Sequence, residues 1–330
     1  MTTYKEIFGK YVKNYSSDPT ADIEGQIWYN TTSGTFKSEV IIAAAWSAGG
    51  TMNTSNRTKS AATGTQTSAV AFGGRITTPP FNSNATEKYD GSAWTTSGNM
   101  GTARYSLGGC GTQTAALGFG GYISPGSVSN ATEEYNGSTW GPGGSLGTSR
   151  YNVAGAGTQT AGLAFGGASG PPVVGTALSA TESYNGTSWT SVNSMNTARK
   201  SLAGAGTQTA ALGFAGNNGP ANLANTESWN GTNWTSVNSM NTARFRLAGA
   251  GSQTSALAFG GGPPASSATE LWDGTSWTSN PTGLATARFY LSGCGTQTAA
   301  LATSGETPSP SIATEEFTGA ALAVKTITTS

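Results

Sequence analysis

The sequence predicts an all-β chain in which six four-stranded antiparallel units form a ring. Three observations predict it. First, the glycine of a G-[TS]-Q-T signature falls at Gly64, Gly111, Gly157, Gly206, Gly251 and Gly295, at intervals of 47, 46, 49, 45 and 44 residues. Second, an arginine stands seven residues before each glycine, and a tryptophan stands ten or eleven residues before each arginine. Third, each unit holds short apolar or small-residue runs broken by Gly-rich turns, with no apolar periodicity of 3.6 residues. Repeats of ~40–50 residues with four short strands are the signature of propeller blades, because one blade cannot bury its own faces and must stack on neighbours.

The elements of a unit follow in order. The arginines are Arg57, Arg104, Arg150, Arg199, Arg244 and Arg288. After each comes a slim strand such as "SLAGAG", ended by the T-Q-T turn. A second, apolar strand such as "AALGFGG" leaves through glycines that permit a tight exit. The third, such as "ATEEYNG", closes with Asn-Gly or Asp-Gly, a hairpin signal. It carries Glu87, Glu133, Glu182, Glu227, Glu270 or Glu315. The fourth strand carries the tryptophan, seven residues after the glutamate in five units. The sixth unit has Leu322 at that place, so "EVIIAAAWS" at 39–47 is expected to supply the last outer strand, with Trp46. Such closure by an N-terminal strand removes an exposed sheet edge. The path of 321–330 stays open between an extra outer strand and a tail. The domain reading is therefore a 1–38 docking segment and a 39–330 propeller.

Arginine, slim strand, apolar strand with Gly-Gly, then Glu-x-Tyr-(Asn/Asp)-Gly and Trp is an order that resembles the kelch repeat, over roughly residues 46–320. The doublet is intact at Gly73–Gly74, Gly120–Gly121, Gly166–Gly167 and Gly260–Gly261 and altered in the fourth and sixth units. The resemblance implies a kelch-like propeller but no particular activity, since this fold serves enzymes, scaffolds and adhesins.

Arginine and glutamate begin the first and third strands, which places both at the same end of a unit. They are expected to form a structural ring of ion pairs; the alternative is a cluster gripping an anionic sugar. Tyrosine and tryptophan are expected to be core. Cys110 and Cys294 belong to the second and sixth units, which are not neighbours, and a disulfide needs Cα atoms within ~7 Å, so both are expected as buried free thiols.

The chain carries 16 Lys+Arg against 16 Asp+Glu, with 10% charged residues and no histidine. No basic excess is available for phosphates, which disfavours a nucleic-acid partner. Without histidine the commonest general base and zinc ligand are missing. "SYNGTSW" at 183–189 echoes a sialidase Asp-box, with Asn185 in place of the aspartate. No catalytic residue, metal ligand or cofactor motif is assigned, and the chain is read as not an enzyme. No apolar run spans a membrane.

The loop between second and third strands differs in every unit: "RITTPPFNSN", "YISPGSVSN", "ASGPPVVGTALS", "NNGPANLA", "GPPASS" and "ETPSPSI". Alternating strand direction gathers all six on one face, a design suited to recognition. Arg75, Phe81 and Tyr122 are the candidate ligand-binding residues there.

Outside the repeat, Tyr4, Ile7, Phe8, Tyr11 and Val12 have helical spacing, although Gly9 weakens a helix. "EGQIWYNTTSGTFKSEV" reads as a hairpin. This stretch resembles segments of tailed-bacteriophage fibre and other virion proteins, which implies a viral structural protein. Such a protein would dock onto other virion proteins through residues 1–38. It would present the propeller at the particle surface for attachment to a host glycan or protein, without a signal peptide and with residues 1–38 available to form a homo-oligomer. The alternatives are a cellular kelch-like interaction scaffold and, less favoured, a carbohydrate-active enzyme.

Overall fold

The computed structural model describes residues 12–19, 26–171 and 175–327. The chain divides into two compact units, Trp46–Thr318 and, separately, Met1–Ala45 with Gly319–Ser330. Both are all-β, with no helix among the described residues.

The larger unit is propeller-like, a succession of four-stranded sheets. The fourth repeat shows the pattern. Ala203–Gly206, Ala211–Phe214, Thr226–Trp229 and Trp234–Val237 pair in sequence order, antiparallel throughout. The first strand alternates buried alanine with glycine, and the second, "ALGF", is buried at every position. Slimness has a steric cause: a Cβ on Gly204 would sit 2.6 Å from Phe165 Cζ of the preceding sheet. The turn glycine needs a different freedom, since Gly206 has φ +104° and its Cβ would lie 2.2 Å from the Ala210 carbonyl oxygen.

One strand comes from far away in sequence. Ala45–Gly49 lies beside Thr314–Thr318 as the fourth strand of the sheet that begins with Ser292–Gly295 and Ala299–Thr303. The tryptophan strand expected to complete the last sheet is therefore Ala45–Gly49, shorter than the 39–47 run. Glu39–Ile42 belongs elsewhere. Thr35–Ile42 is an eight-residue strand whose outer edge is paired in antiparallel register by Ala321–Thr326, from Lys37↔Thr326 to Ile42↔Ala321. With that edge paired, 39–45 and 319–327 belong to the smaller unit. The compact units divide at 45/46 where the expected boundary is 38/39, and Ala321–Thr326 of the C-terminal segment forms a strand.

In the smaller unit the expected hairpin joins Ile27–Asn30 to Thr35–Ile42. The Asn30 side-chain oxygen accepts the Thr32 and Ser33 amides, and Gly34 adopts φ +65° to finish the turn. Lys13–Tyr15 adds a parallel strand. Asp18 ties the unit together by accepting from Asn30 Nδ2 at 2.7 Å, Lys37 Nζ at 2.9 Å and Trp28 Nε1 at 3.2 Å. These bonds, that from Lys37 foremost, hold its carboxyl below the usual range. The helical spacing from Tyr4 to Tyr11 lies outside the described residues.

Candidate functional site: the mouth framed by the first strands

Four recurrent side chains order the sheets: arginine braces its own, glutamate ties it to the arriving linker, and glutamine and tryptophan reach the preceding one. Each arginine pairs with the glutamate of its own repeat: Arg57–Glu87, Arg104–Glu133, Arg150–Glu182, Arg199–Glu227, Arg244–Glu270 and Arg288–Glu315. All twelve residues are buried. The guanidinium also donates to the two carbonyls where the second strand leaves and the third enters, as Arg199 does to Ala215 and Asn225. Burial pulls Arg57 and Arg199 down to about 10, and the glutamates oppose the shift. Each glutamate in turn accepts an amide of the linker that arrives from the preceding sheet, Asn53, Gly101, Gly147, Asn196, Asn241 or Ala285.

The glutamine of T-Q-T has a role that its place in a turn did not reveal. Gln113 Nε2 donates to Ala69 O and Tyr89 O of the preceding sheet, at 3.1 and 2.6 Å. Gln159, Gln208, Gln253 and Gln297 repeat this, and Gln66 of the first repeat reaches Ala300 O and Phe317 O of the sixth. The tryptophan indoles step backward likewise. Trp140, Trp189, Trp234, Trp277, Trp46 and Trp94 donate to Thr86, Thr132, Thr181, Thr226, Thr269 and Thr314 at 2.9–3.0 Å. Tryptophan and tyrosine are accordingly core, as in the Tyr184–Trp189 contact, with centroids 4.9 Å apart.

Residues that do not recur gather at one end. Two positions after each arginine stand Lys59, Ser106, Asn152, Ser201, Arg246 and Tyr290, all with φ between +53° and +59°. Each of these amides donates to the carbonyl of its counterpart one repeat earlier, at 2.7–3.1 Å, and Lys59 N–H donates to Tyr290 O. This backbone series rims a cavity of about 160 Å³ lined by the starts of the six first strands. A second cavity of about 140 Å³ is lined by their other ends, including Cys110 and Cys294. Both cysteines are free and buried, and burial pushes their thiols up to about 12.

The rim is uneven. Ser106, Asn152 and Ser201 form a small, neutral arc. Opposite, Lys59 Nζ lies 4.0 Å from the Tyr290 ring centroid and the Arg246 guanidinium carbon lies 4.3 Å from it. Arg246 also stacks on Phe245 at 4.4 Å, and Lys59 faces Tyr105 at 5.6 Å. Burial lowers Lys59 to about 8, against the opposing pull of Glu306 and helped by Arg75 and Arg246. Burial likewise raises Tyr290 to about 12.

The variable loops lie at this same end. Thr58, Tyr105, Tyr151, Lys200 and Phe289, each next to the repeat arginine, bridge to Arg75, Tyr122, Ala168, Asn217 and Glu306 at the loop starts. Of the three loop residues singled out in sequence, Arg75 is exposed and bridged to Thr58 and Asn82. Phe81 is 40% exposed at φ +66°. Tyr122 differs from expectation: it is 7% exposed, sits in a small hairpin with Ser127–Val128, and packs on Tyr105 and Tyr151. Its aromatic neighbours bury it, so it supports the loop and presents no ring to solvent. Among the described residues, no three His, Cys, Asp or Glu side chains gather to hold a metal ion. Set against known families and curated proteins, the chain matches no family model and no curated sequence.

The rim residues escaped the sequence reading, yet a signal was present. Aligned on the arginine, the units read RTKS, RYSL, RYNV, RKSL, RFRL and RFYL. The third column is the one where charge and size change most beside a near-constant frame.

Proposed function

We propose that this protein is a non-enzymatic recognition module, a closed six-bladed kelch-like β-propeller. A tailed-bacteriophage virion would display it as a tail fibre or other surface appendage, for attachment to a host glycan or protein. The observation that carries the recognition reading is a division of labour. Recurrent Arg and Glu side chains brace each sheet, and recurrent Gln and Trp side chains bond one sheet to the preceding one. The residues that vary stand together on the loops and rim at one end. A rigid frame with one variable face is how loops are held for binding. Closure is supported by three series that each return from the first repeat to the sixth: rim amides, Gln66 to the sixth sheet, and Trp94 to Thr314.

Particle display is supported by the hairpin at 27–42, whose sequence resembles virion proteins. A docking role would also cover Ile41 and Leu322, exposed at 51% and 36% on directly paired positions. Two measurements test the reading. Antibody against the propeller should decorate phage particles in electron micrographs, and the purified protein should bind host cells in a manner reduced by Phe81→Ala. A chain found only in the cytosol with a cellular protein partner would establish the kelch-like scaffold reading instead.

A further inference from the structure

The rim cations have no structural duty that the fold requires. The amide series at this position is backbone only, and three repeats complete it with serine or asparagine. Lysine and arginine there bring a desolvation cost that Ser106, Asn152 and Ser201 avoid. Other cations show what a satisfied one looks like: the six repeat arginines are paired with glutamates, Lys37 with Asp18, and Lys200 donates to Gly175 O. Among the described residues, no salt bridge or hydrogen bond joins Lys59 Nζ or the Arg246 guanidinium to a protein acceptor, and both lie against aromatic rings; a buried Nε without a partner is common to Arg246 and five of the six repeat arginines. Arg75 adds a third positive charge to the field and Glu306 a single negative one, in a chain whose net charge is zero. Places where a protein departs from its own local rules at a cost are where function is to be sought.

We propose that the Lys59–Tyr290–Arg246 arc binds a small oxyanion, a carboxylate or phosphate group that enters the 160 Å³ cavity mouth. The Nη groups of Arg246 offer donors that match such a group, Lys59 adds a point charge, and the Tyr290 ring lies against both cations. Ser106, Asn152 and Ser201 line the same cavity on the neutral arc. In that arrangement the ring binds charge at one edge and a compact polar body at the other. The proposal deepens the recognition reading by naming a ligand chemistry, and rests on it only for biological use.

The test is titration calorimetry of the full chain with D-glucuronate and with inorganic phosphate, D-glucose serving as the neutral control. Saturable binding of either anion, at a Kd of about 1 mM or tighter and weakened by added NaCl, is expected. Glucuronate without phosphate identifies a carboxylate ligand, and phosphate without glucuronate a phosphorylated or inorganic one. Lys59→Ser and Arg246→Ser place at the rim a residue already used in two other repeats, and each should weaken binding about tenfold. The longer Lys59→Gln and Arg246→Gln provide a second pair should the serines not fold. In the unaltered protein, the Arg246 Nε–H resonance should shift on titration. No saturable binding of either anion below about 10 mM overturns the proposal. So does undiminished binding by the folded double variant, or an unmoved Arg246 resonance. Failure here leaves particle display untouched, and a chain absent from particles would leave the anion site standing.

Discussion

Arg199→Ala isolates the ion pair on which every repeat is built. Arg199 is fully buried and donates to Glu227 at 2.9 Å, Asn225 O at 2.6 Å, and Ala215 O and Gly213 O at 3.2 Å. Truncation leaves Glu227, 1% exposed, charged and facing a void. The remaining acceptor bonds of Glu227, from Asn196 and Thr197 amides, do not cancel that charge. Breaking a buried pair by removing one partner costs about 3–5 kcal/mol. For a domain of this size that lowers the melting temperature by roughly 6–20 °C, at about 2–4 °C per kcal/mol. Urea unfolding followed by tryptophan fluorescence reads the loss as a lower midpoint at unchanged slope. Arg199→Ala/Glu227→Gln should recover part of the loss, because the uncompensated charge goes while an acceptor oxygen remains for the linker. A loss under ~1 kcal/mol, the size of an exposed pair, would refute the claim that these arginines brace their sheets from within.

Gln113→Ala removes the donor to two buried carbonyls of the preceding sheet and should cost about 1–3 kcal/mol in the same unfolding assay. Asn152→Val forces a β-branched residue to φ +53° and should destabilise by about 1–3 kcal/mol, whereas Asn152→Gly should be tolerated better. Cys110 and Cys294 should resist iodoacetamide in native protein at neutral pH and react once urea unfolds the chain, as mass spectrometry would show. Lys59 titrates near 8 instead of the ordinary 10.5, among Glu306, Arg75, Arg246, Tyr105 and Tyr290. Anion binding should therefore weaken as pH rises through about 8. Between about 8 and 10.5 the unfolded chain holds this proton more often than the folded one, so Lys59 adds stability with rising pH over that window. Lys59→Gln should abolish both trends.

How much was legible depends on how each feature is encoded. Strand order, turn glycines, arginine–glutamate pairing within a repeat and the outer strand carrying Trp46 could be read from spacing, because each is local or recurs six times. Recurrence did not disclose partners across sheets. Gln113 looks like any turn residue until Ala69 O and Tyr89 O lie beside it, and their approach is set by how one sheet packs on the next. Tyr122 looked like an exposed loop aromatic because its burial comes from Tyr105 and Tyr151 of neighbouring segments. The run at 39–47 was assigned to one strand because apolar residues continue through it; backbone pairing with Ala321–Thr326 decided where it divides.

The repeat is written in the order of amino acids: which residue begins each strand, where each turn falls, and which side chains are common to all six units. These follow from local propensity and from a period that needs no partner to be seen. Only the tertiary structure decided what the exceptions do. Lys59, Arg246 and Tyr290 are far apart along the chain and chemically unlike, and each is unremarked within its own repeat. Packing six first strands side by side brings them to one rim, where two cations share one aromatic ring and, among the described residues, no carboxylate forms a salt bridge with either.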